Sequence, residues 1–264
     1  MTVFEDIRLS IDEGVGTLTI DRGDGRNALS PHSLGEICAG MDALTDDPDV
    51  KVIILAAEGR HFSAGADFRF LKELTSMGAA QIKAQVYEKF QGAARRIYHC
   101  PKPTLALING AAVTVGCELA LACDFRIADE KVMFQESWIK LGIMPPLGGL
   151  FLLPRIVGLG RAKEMCLMGK QVRAEEALAS GLVSEVVSPE ELSLRGRGFA
   201  AELAAAAPTA YATVKEAIHR GLESSMQAEW TANVSSQAVL ISSEDFAEGL
   251  DAVVARRSPE FTGR

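Results

Sequence analysis

Two segments of the chain combine small residues with a carboxylate in a way that could serve chemistry at an anionic centre. Gly59-Arg60-His61-Phe62-Ser63-Ala64-Gly65-Ala66-Asp67 follows the apolar run Val52 to Ala56, and side chains that small let a ligand approach the main chain closely. Taken alone, such a loop also reads as a plain turn. The second segment, Ile108 to Asp124, leaves the apolar run Thr104 to Ile108, turns at Asn109-Gly110 and enters a helical pattern near Val115-Gly116. A strand that feeds the start of a helix presents unpaired N–H groups and the positive end of the helix dipole, so negative charge is stabilised there. Glu118 lies one turn into that helix, where a carboxylate is either a dipole partner or a general acid/base.

The remaining reactive side chains point elsewhere less clearly. His32, His61, His99 and His219 lack metal-ligand spacing, so no metal is expected and no catalytic role is assigned to them. Cys38, Cys100, Cys117, Cys123 and Cys166 are odd in number and lack CxxC spacing, which predicts reduced, buried thiols. With 35 acidic against 27 basic residues the net charge is −8, and no Lys/Arg cluster exceeds the pairs Arg95-Arg96 and Arg256-Arg257. Nucleic acid is therefore not expected as a partner. An anionic ligand would need a local basic rim that the global charge hides. The opening stretch MTVFEDIRLSIDEG has neither a basic nor an apolar leader region. No apolar run approaches the ~18 residues of a membrane span, so a cytoplasmic protein without membrane contact is expected.

The elements that must carry these segments follow from periodicity. Ile7 to Ile11 and Val15 to Ile20, split by Asp12-Glu13-Gly14, read as a hairpin. Ser30-Pro31 reads as an N-cap with proline at the first helical position, opening a helix with Leu34, Ile37, Cys38, Met41 and Leu44 on one face. Val52 to Ala56, Thr104 to Ile108, Phe125 to Ala128 and Val183 to Val187 read as buried strands, with helical patterns such as Ile82 to Tyr98 and Val115 to Ala122 between them. Strand-then-helix order predicts an α/β fold with stacked parallel strands. From about Glu190 onward only helices are expected, over 191–206, 209–222, 226–240 and 243–255.

At this point the chain resembles the crotonase family, the enoyl-CoA hydratase and isomerase superfamily. RNALS (26–30), the two segments above, LGIMPPLGG (141–149) and EDFAEGLDAVVARRSPEFTGR (244–264) fall in family order across nearly the whole chain. The resemblance implies that the backbone N–H groups of Ala66 and Val115 hold a thioester oxygen as it becomes an enolate. Preorganised donors of this kind contribute about 2.7 to 4 kcal/mol each. Most relatives carry glycine where this chain has Val115. The resemblance implies an acid/base role for Glu118 and a coenzyme A site around Arg26, Ala28, Ser63, Ala64 and Asp67; Arg22, Arg26 and Lys72 are the local candidate cations for its phosphates, each of which also reads as a solvated surface charge.

One position departs from the family. Hydratases place a second glutamate twenty residues after the first, and this chain has Trp138 there. Tryptophan neither takes nor gives a proton at neutral pH, so a two-carboxylate hydration is incomplete. Glu136 is the neighbour that could substitute, but if 134–138 is extended it shares a face with Trp138 and lies about 7 Å along the strand. Related dehalogenases of aromatic acyl-CoAs carry tryptophan at this position, but their nucleophilic aspartate would fall at Pro146. Trp138 is then either core packing or an aromatic wall of the acyl pocket.

The resemblance implies a crotonase-type spiral of repeated ββα units (1–200) carrying the acyl-CoA site. A helical region (201–264) would assemble a homotrimer or homohexamer. The expected function is that of a hydratase/isomerase family enzyme acting through a thioester enolate, with coenzyme A entering as part of the substrate and no other cofactor. A C–C bond hydrolase or decarboxylase on the same fold, and a non-catalytic acyl-CoA-binding protein, remain open alternatives.

Overall fold

In the computed structural model, which describes residues 4–264, continuous apolar runs become central strands and alternating ones become a half-exposed edge. Met1 to Val3 of the stretch read for a leader lie outside the described residues. Strands β1 (Ile7–Asp12) and β2 (Val15–Ile20) form the antiparallel hairpin, with Ile7 opposite Ile20. A short strand β3 (Ala28–Leu29) leads into helix α1 (Pro31–Asp46), capped by the Ser30 hydroxyl, which accepts from the Ser33 amide. Strands β4 (Val52–Ala57) and β5 (Gly65–Ala66) follow. Then come helices α2 (Phe68–Leu74) and α3 (Ala79–Gln81), a π-helical turn (Ile82–Val86) and α4 (Tyr87–Tyr98). The next units are β6 (Thr104–Ile108), β7 (Ala111–Val113) and α5 (Val115–Ala122), then β8 (Phe125–Asp129), β9 (Met133–Gln135), a 3-10 turn (Trp138–Leu141) and α6 (Gly149–Met168). The chain continues through β10 (Gln171–Arg173), α7 (Ala174–Ala179) and β11 (Glu185–Val187). It ends in α8 (Leu192–Ala204), α9 (Pro208–Gly221), α10 (Met226–Ile241) and α11 (Glu244–Ala255).

The repeating unit, seen in β4-β5-α2, β6-β7-α5 and β8-β9-α6, is one long strand, one short strand and a helix. The long strands form a six-stranded sheet in the order β1-β2-β4-β6-β8-β11, parallel except for the first pair. The short strands pair in a second layer, β3 with β5 and β7 with β9, joined by a bridge between Ser63 and Ala112. Stacking successive units in this way buries both faces of the central strands β4, β6 and β8. On one face α8 lays Leu192 and Ala200 over Val52, Ile54, Leu105, Leu107 and Ile127. On the other lies the main core, with α5 buried along its whole length.

The expected strand at Val183 begins only at Glu185, because the Leu182 and Val183 amides turn back to the Ala177 carbonyl and close α7. The division expected at residue 200 falls within α8. Beyond it α9 is tied to the core by Lys215, whose Nζ lies 2.8 Å from Asp124 Oδ2 in a largely buried pair. Among the described residues, no helix is long and apolar enough to cross a membrane.

Candidate functional site

The two small-residue segments meet. The Ser63 amide donates to the Ala111 carbonyl at 2.9 Å and the Val113 amide to the Ser63 carbonyl at 3.0 Å, so the loop after β4 is laid along β7. Gly65, at φ 101°, leaves no room for a side chain against Thr114 Oγ1, and a Cβ on Gly116 would lie 2.5 Å from that of Ser63. Only hydrogen fits at either place, which is why the main chains of 63–66 and 113–116 can touch. Ala66 and Val115 are thereby brought into adjoining backbone, both buried. Val115 is the first residue of α5, so its amide has no partner within the helix. Thr114, immediately before it, holds φ 46° and ψ −108°, a conformation costing on the order of 1–3 kcal/mol. Its amide is anchored on the Gln135 carbonyl at 2.8 Å. That strained residue aims the start of α5, and no sequence signal marked it.

Asn27 fixes the other side of the loop. Buried and at φ 52°, it donates through Nδ2 to the carbonyls of Glu58 (2.8 Å) and His61 (2.9 Å) and accepts the Arg22 amide at 3.1 Å. Within RNALS nothing but its residue type marks it: asparagine is one of the few side-chain-bearing residues that tolerates a left-handed backbone. Ser63 is buried; its hydroxyl donates to the Asn27 carbonyl at 2.7 Å and accepts the Gly65 amide at 3.1 Å, so it shapes the loop from inside. The Ala64 amide donates to the Arg26 carbonyl at 2.8 Å, and half-buried Ala28 pairs with Gly65. His61 Nδ1 accepts the Ala111 amide at 3.2 Å; burial, then the charges of Arg60 and Arg26, hold its pKa below the ordinary value.

Asp67 caps α2 and faces Arg22 at 3.2 Å. Burial opposes its ionisation, but the Arg22 hydrogen bond and the amides of Arg69 and Phe70 outweigh it and hold the carboxyl below its usual range. Arg22 is also 3.4 Å from Asp6 and donates to the Ala28 carbonyl. It is committed to the framework and not free for a phosphate. Arg26 and Lys72 remain exposed without an ion-pair partner among the described residues.

Glu118 is fully buried. Its Oε2 accepts the amides of Leu147 (2.7 Å) and Gly149 (2.8 Å), the latter opening α6, and its Oε1 accepts the indole N–H of Trp138 at 3.2 Å. Burial favours the neutral acid, whereas the three donors and the positive end of α6 favour the carboxylate. Burial prevails in part, and the pKa rises to about 7. Near neutral pH such a group is populated in both forms, as an acid/base that takes and returns a proton must be. Trp138 is buried and is bonded through its indole N–H to the carboxylate that the motif singled out.

The shared face of Glu136 and Trp138 depends on 134–138 being extended. The strand ends at Gln135 and the 3-10 turn begins at Trp138, so the extended geometry assumed for 134–138 is not formed. Glu136 is fully buried, and neither carboxyl oxygen has a hydrogen-bond partner. Burial, and after it the charge of Glu118, push its pKa well above the ordinary range, with the Cys117 thiol acting weakly the other way. All five cysteines are free and buried, as expected.

A model of the enoyl-CoA hydratase/isomerase family matches residues 10–264. The chain is 36% identical over 264 residues to a protein of Rhodobacter capsulatus named as a probable enoyl-CoA hydratase, with 99% of each chain covered. It is 34% identical to the crotonyl-CoA hydratase of Syntrophomonas wolfei, again over 99% of each. The crystal structure of an enoyl-CoA hydratase from Bacillus anthracis superposes with a TM-score of 0.90 at 31% identity, covering 98% of this chain and 100% of the other.

Proposed function

The chain belongs to the enoyl-CoA hydratase/isomerase family and is an enzyme of that kind acting on acyl-CoA; on that premise we propose that it enolises the thioester, with Glu118 moving the proton and the Ala66 and Val115 amides holding the oxygen. The observation that carries the reading is the state of Glu118: a buried carboxyl, three hydrogen-bond donors fixed on it, and a pKa brought to about 7. It sits one helical turn after Val115, so the amide that would receive the thioester oxygen and the group that would receive the proton project from one short helix.

Chemically, the carboxylate takes a proton from the carbon next to the thioester. The C–H electron pair moves into the C–C bond, and the carbonyl electrons move onto oxygen. Amides aimed at that oxygen in a water-poor site stabilise the developing charge more than the neutral thioester. The coenzyme A portion would run past Arg26, Ala28, Ser63, Ala64 and Asp67, with the exposed side chains of Arg26 and Lys72 meeting phosphate. Ser63 and Asp67 would act through the loop shape they enforce, since their polar atoms are engaged within the protein. No cofactor beyond coenzyme A is required. The exposed apolar residues Val214 and Ile218 of α9, Trp230 and Val234 of α10, and Leu250 and Val253 of α11 support a role for residues 201–264 in assembling copies of the chain, as a trimer or doubled trimer.

The test is Glu118→Gln with a panel of crotonyl-CoA, 3-enoyl-CoA, β-diketone-CoA and malonyl-type CoA, analysed for products. Turnover should fall at least about a hundredfold with modest change in ligand affinity. Retained turnover removes Glu118 from the chemistry. Tight binding without turnover, unchanged by the substitution, identifies a binding protein. Cleavage of the diketone or loss of carbon dioxide assigns the enolate to C–C bond chemistry.

A further inference from the structure

We propose that Trp138 is a positioning residue which leaves Glu118 a single open acceptor position: its indole N–H takes one of the two on Oε1, so the carboxylate exchanges one proton with carbon and does not hold and activate a water for addition. This rests on the reading of Glu118 as the acid/base and goes beyond it by assigning the kind of reaction.

An ionised carboxylate offers about four acceptor positions, two on each oxygen. On Glu118 both positions of Oε2 are filled, by the amides of Leu147 at 2.7 Å and Gly149 at 2.8 Å, and one position of Oε1 is filled by Trp138 Nε1 at 3.2 Å. One position remains, enough for a single proton. Water addition needs more: one acceptor to draw a proton from the water, a second group to orient it, and a donor to deliver a proton to the α-carbon. The other carboxyl nearby, Glu136, is fully buried with both oxygens unpartnered. The indole is itself held in place, being buried at the first residue of the 3-10 turn.

The step that fits one open position is proton transfer between carbon atoms. The carboxylate takes the α-proton, the enolate forms on the thioester oxygen, and the same carboxylic acid returns the proton to the α- or γ-carbon. Water is neither consumed nor released, and no electron carrier is needed. The titratable groups facing Glu118 are Cys117 on its own helix, Glu136 after β9 and Cys166 on α6, each of which burial pushes toward its protonated form. The hydrogen bond from Trp138 is thus a neighbouring interaction that favours the charged form of Glu118 and can be removed without altering a charge.

The experiment uses the full-length protein. Exchange of the α-protons of butyryl-CoA in D2O is followed by NMR from acid to alkaline pH. Addition of 18O-water to crotonyl-CoA is followed by mass spectrometry. Wild type should exchange and form 3-hydroxybutyryl-CoA at least about a hundredfold more slowly than it exchanges, the usual worth of an acid/base contribution. Trp138→Phe keeps an aromatic ring and loses the donor, so the acid limb of the exchange profile should move up by about one pH unit. A limb that stays at the wild-type pH overturns the positioning role, because a merely packing residue changes rate without moving the limb. Incorporation of 18O by wild type at a rate matching exchange overturns the exclusion of water, and this arm decides the matter if Trp138→Phe does not fold. Exchange that survives Glu118→Gln refutes the acid/base reading itself and is distinguishable from either result.

Discussion

Raising the pH from about 5 to about 9 should destabilise the wild-type chain by about 3 kcal/mol more than the Glu118→Gln variant. The magnitude follows from the carboxyl itself. Burial lifts it from its ordinary 4.5 to about 7, and each tenfold step in acidity carries about 1.4 kcal/mol. The sign follows from where the proton is held more tightly. Below pH 4.5 the group is neutral in both the folded and unfolded chain and its contribution to stability is complete. Between 4.5 and 7 the unfolded chain ionises first, so that contribution falls as the pH rises, and it is lost above about 7. Glutamine cannot ionise, so the variant lacks this dependence. Glu136, whose carboxyl is pushed up partly by the Glu118 charge, relaxes in the variant and adds to the difference in the same direction. The assay is urea unfolding at fixed protein concentration, at both pH values, for both proteins. The pH-induced change in stability is compared, because glutamine places an N–H against the Trp138 indole and alters absolute stability. Parallel pH dependence of wild type and variant would refute the placement of Glu118 as a buried, high-pKa carboxyl.

Gly116→Ala forces a Cβ to 2.5 Å from that of Ser63. Overpacking of this kind should cost about 1–3 kcal/mol in thermal or urea unfolding and lower turnover by moving the Val115 amide. Lys215→Met removes the partner of Asp124 while the Thr104 amide and hydroxyl and the Tyr211 hydroxyl continue to donate to it. The loss should be about 3 kcal/mol, near the lower end for a broken buried pair, and adding Asp124→Asn should recover part of it in the same urea assay.

The parts of the fold legible in the sequence were those whose periodicity is long enough to count. The β1–β2 hairpin, α1 with its Ser30-Pro31 start, the apolar strands β4 and β6, and the four closing helices fall where pattern and caps place them. The second layer of the spiral was not legible, because β3, β5, β7, β9 and β10 are only two or three residues long and show no alternation. The pieces of the site were legible as motifs, but their contacts were not. Trp138 and Glu118 are twenty residues apart, and nothing local announces that an indole N–H reaches a carboxylate. Arg22 looks like a surface cation until Asp6 and Asp67 close on it from other elements. The place of Glu136 was legible only on the condition that 134–138 is extended, and the strand ends at Gln135 with a 3-10 turn opening at Trp138.

The most direct measurement is a crystal structure of the protein with acetoacetyl-CoA, which on loss of its C2 proton becomes an enolate with negative charge shared between the oxygens that the site is proposed to receive. Enolate chemistry at this site predicts the thioester oxygen at about 2.7–3.1 Å from both the Ala66 and Val115 amides, with the α-carbon facing Glu118 Oε1. A thioester oxygen hydrogen-bonded to neither amide, or an acyl group lying away from Glu118, would contradict it.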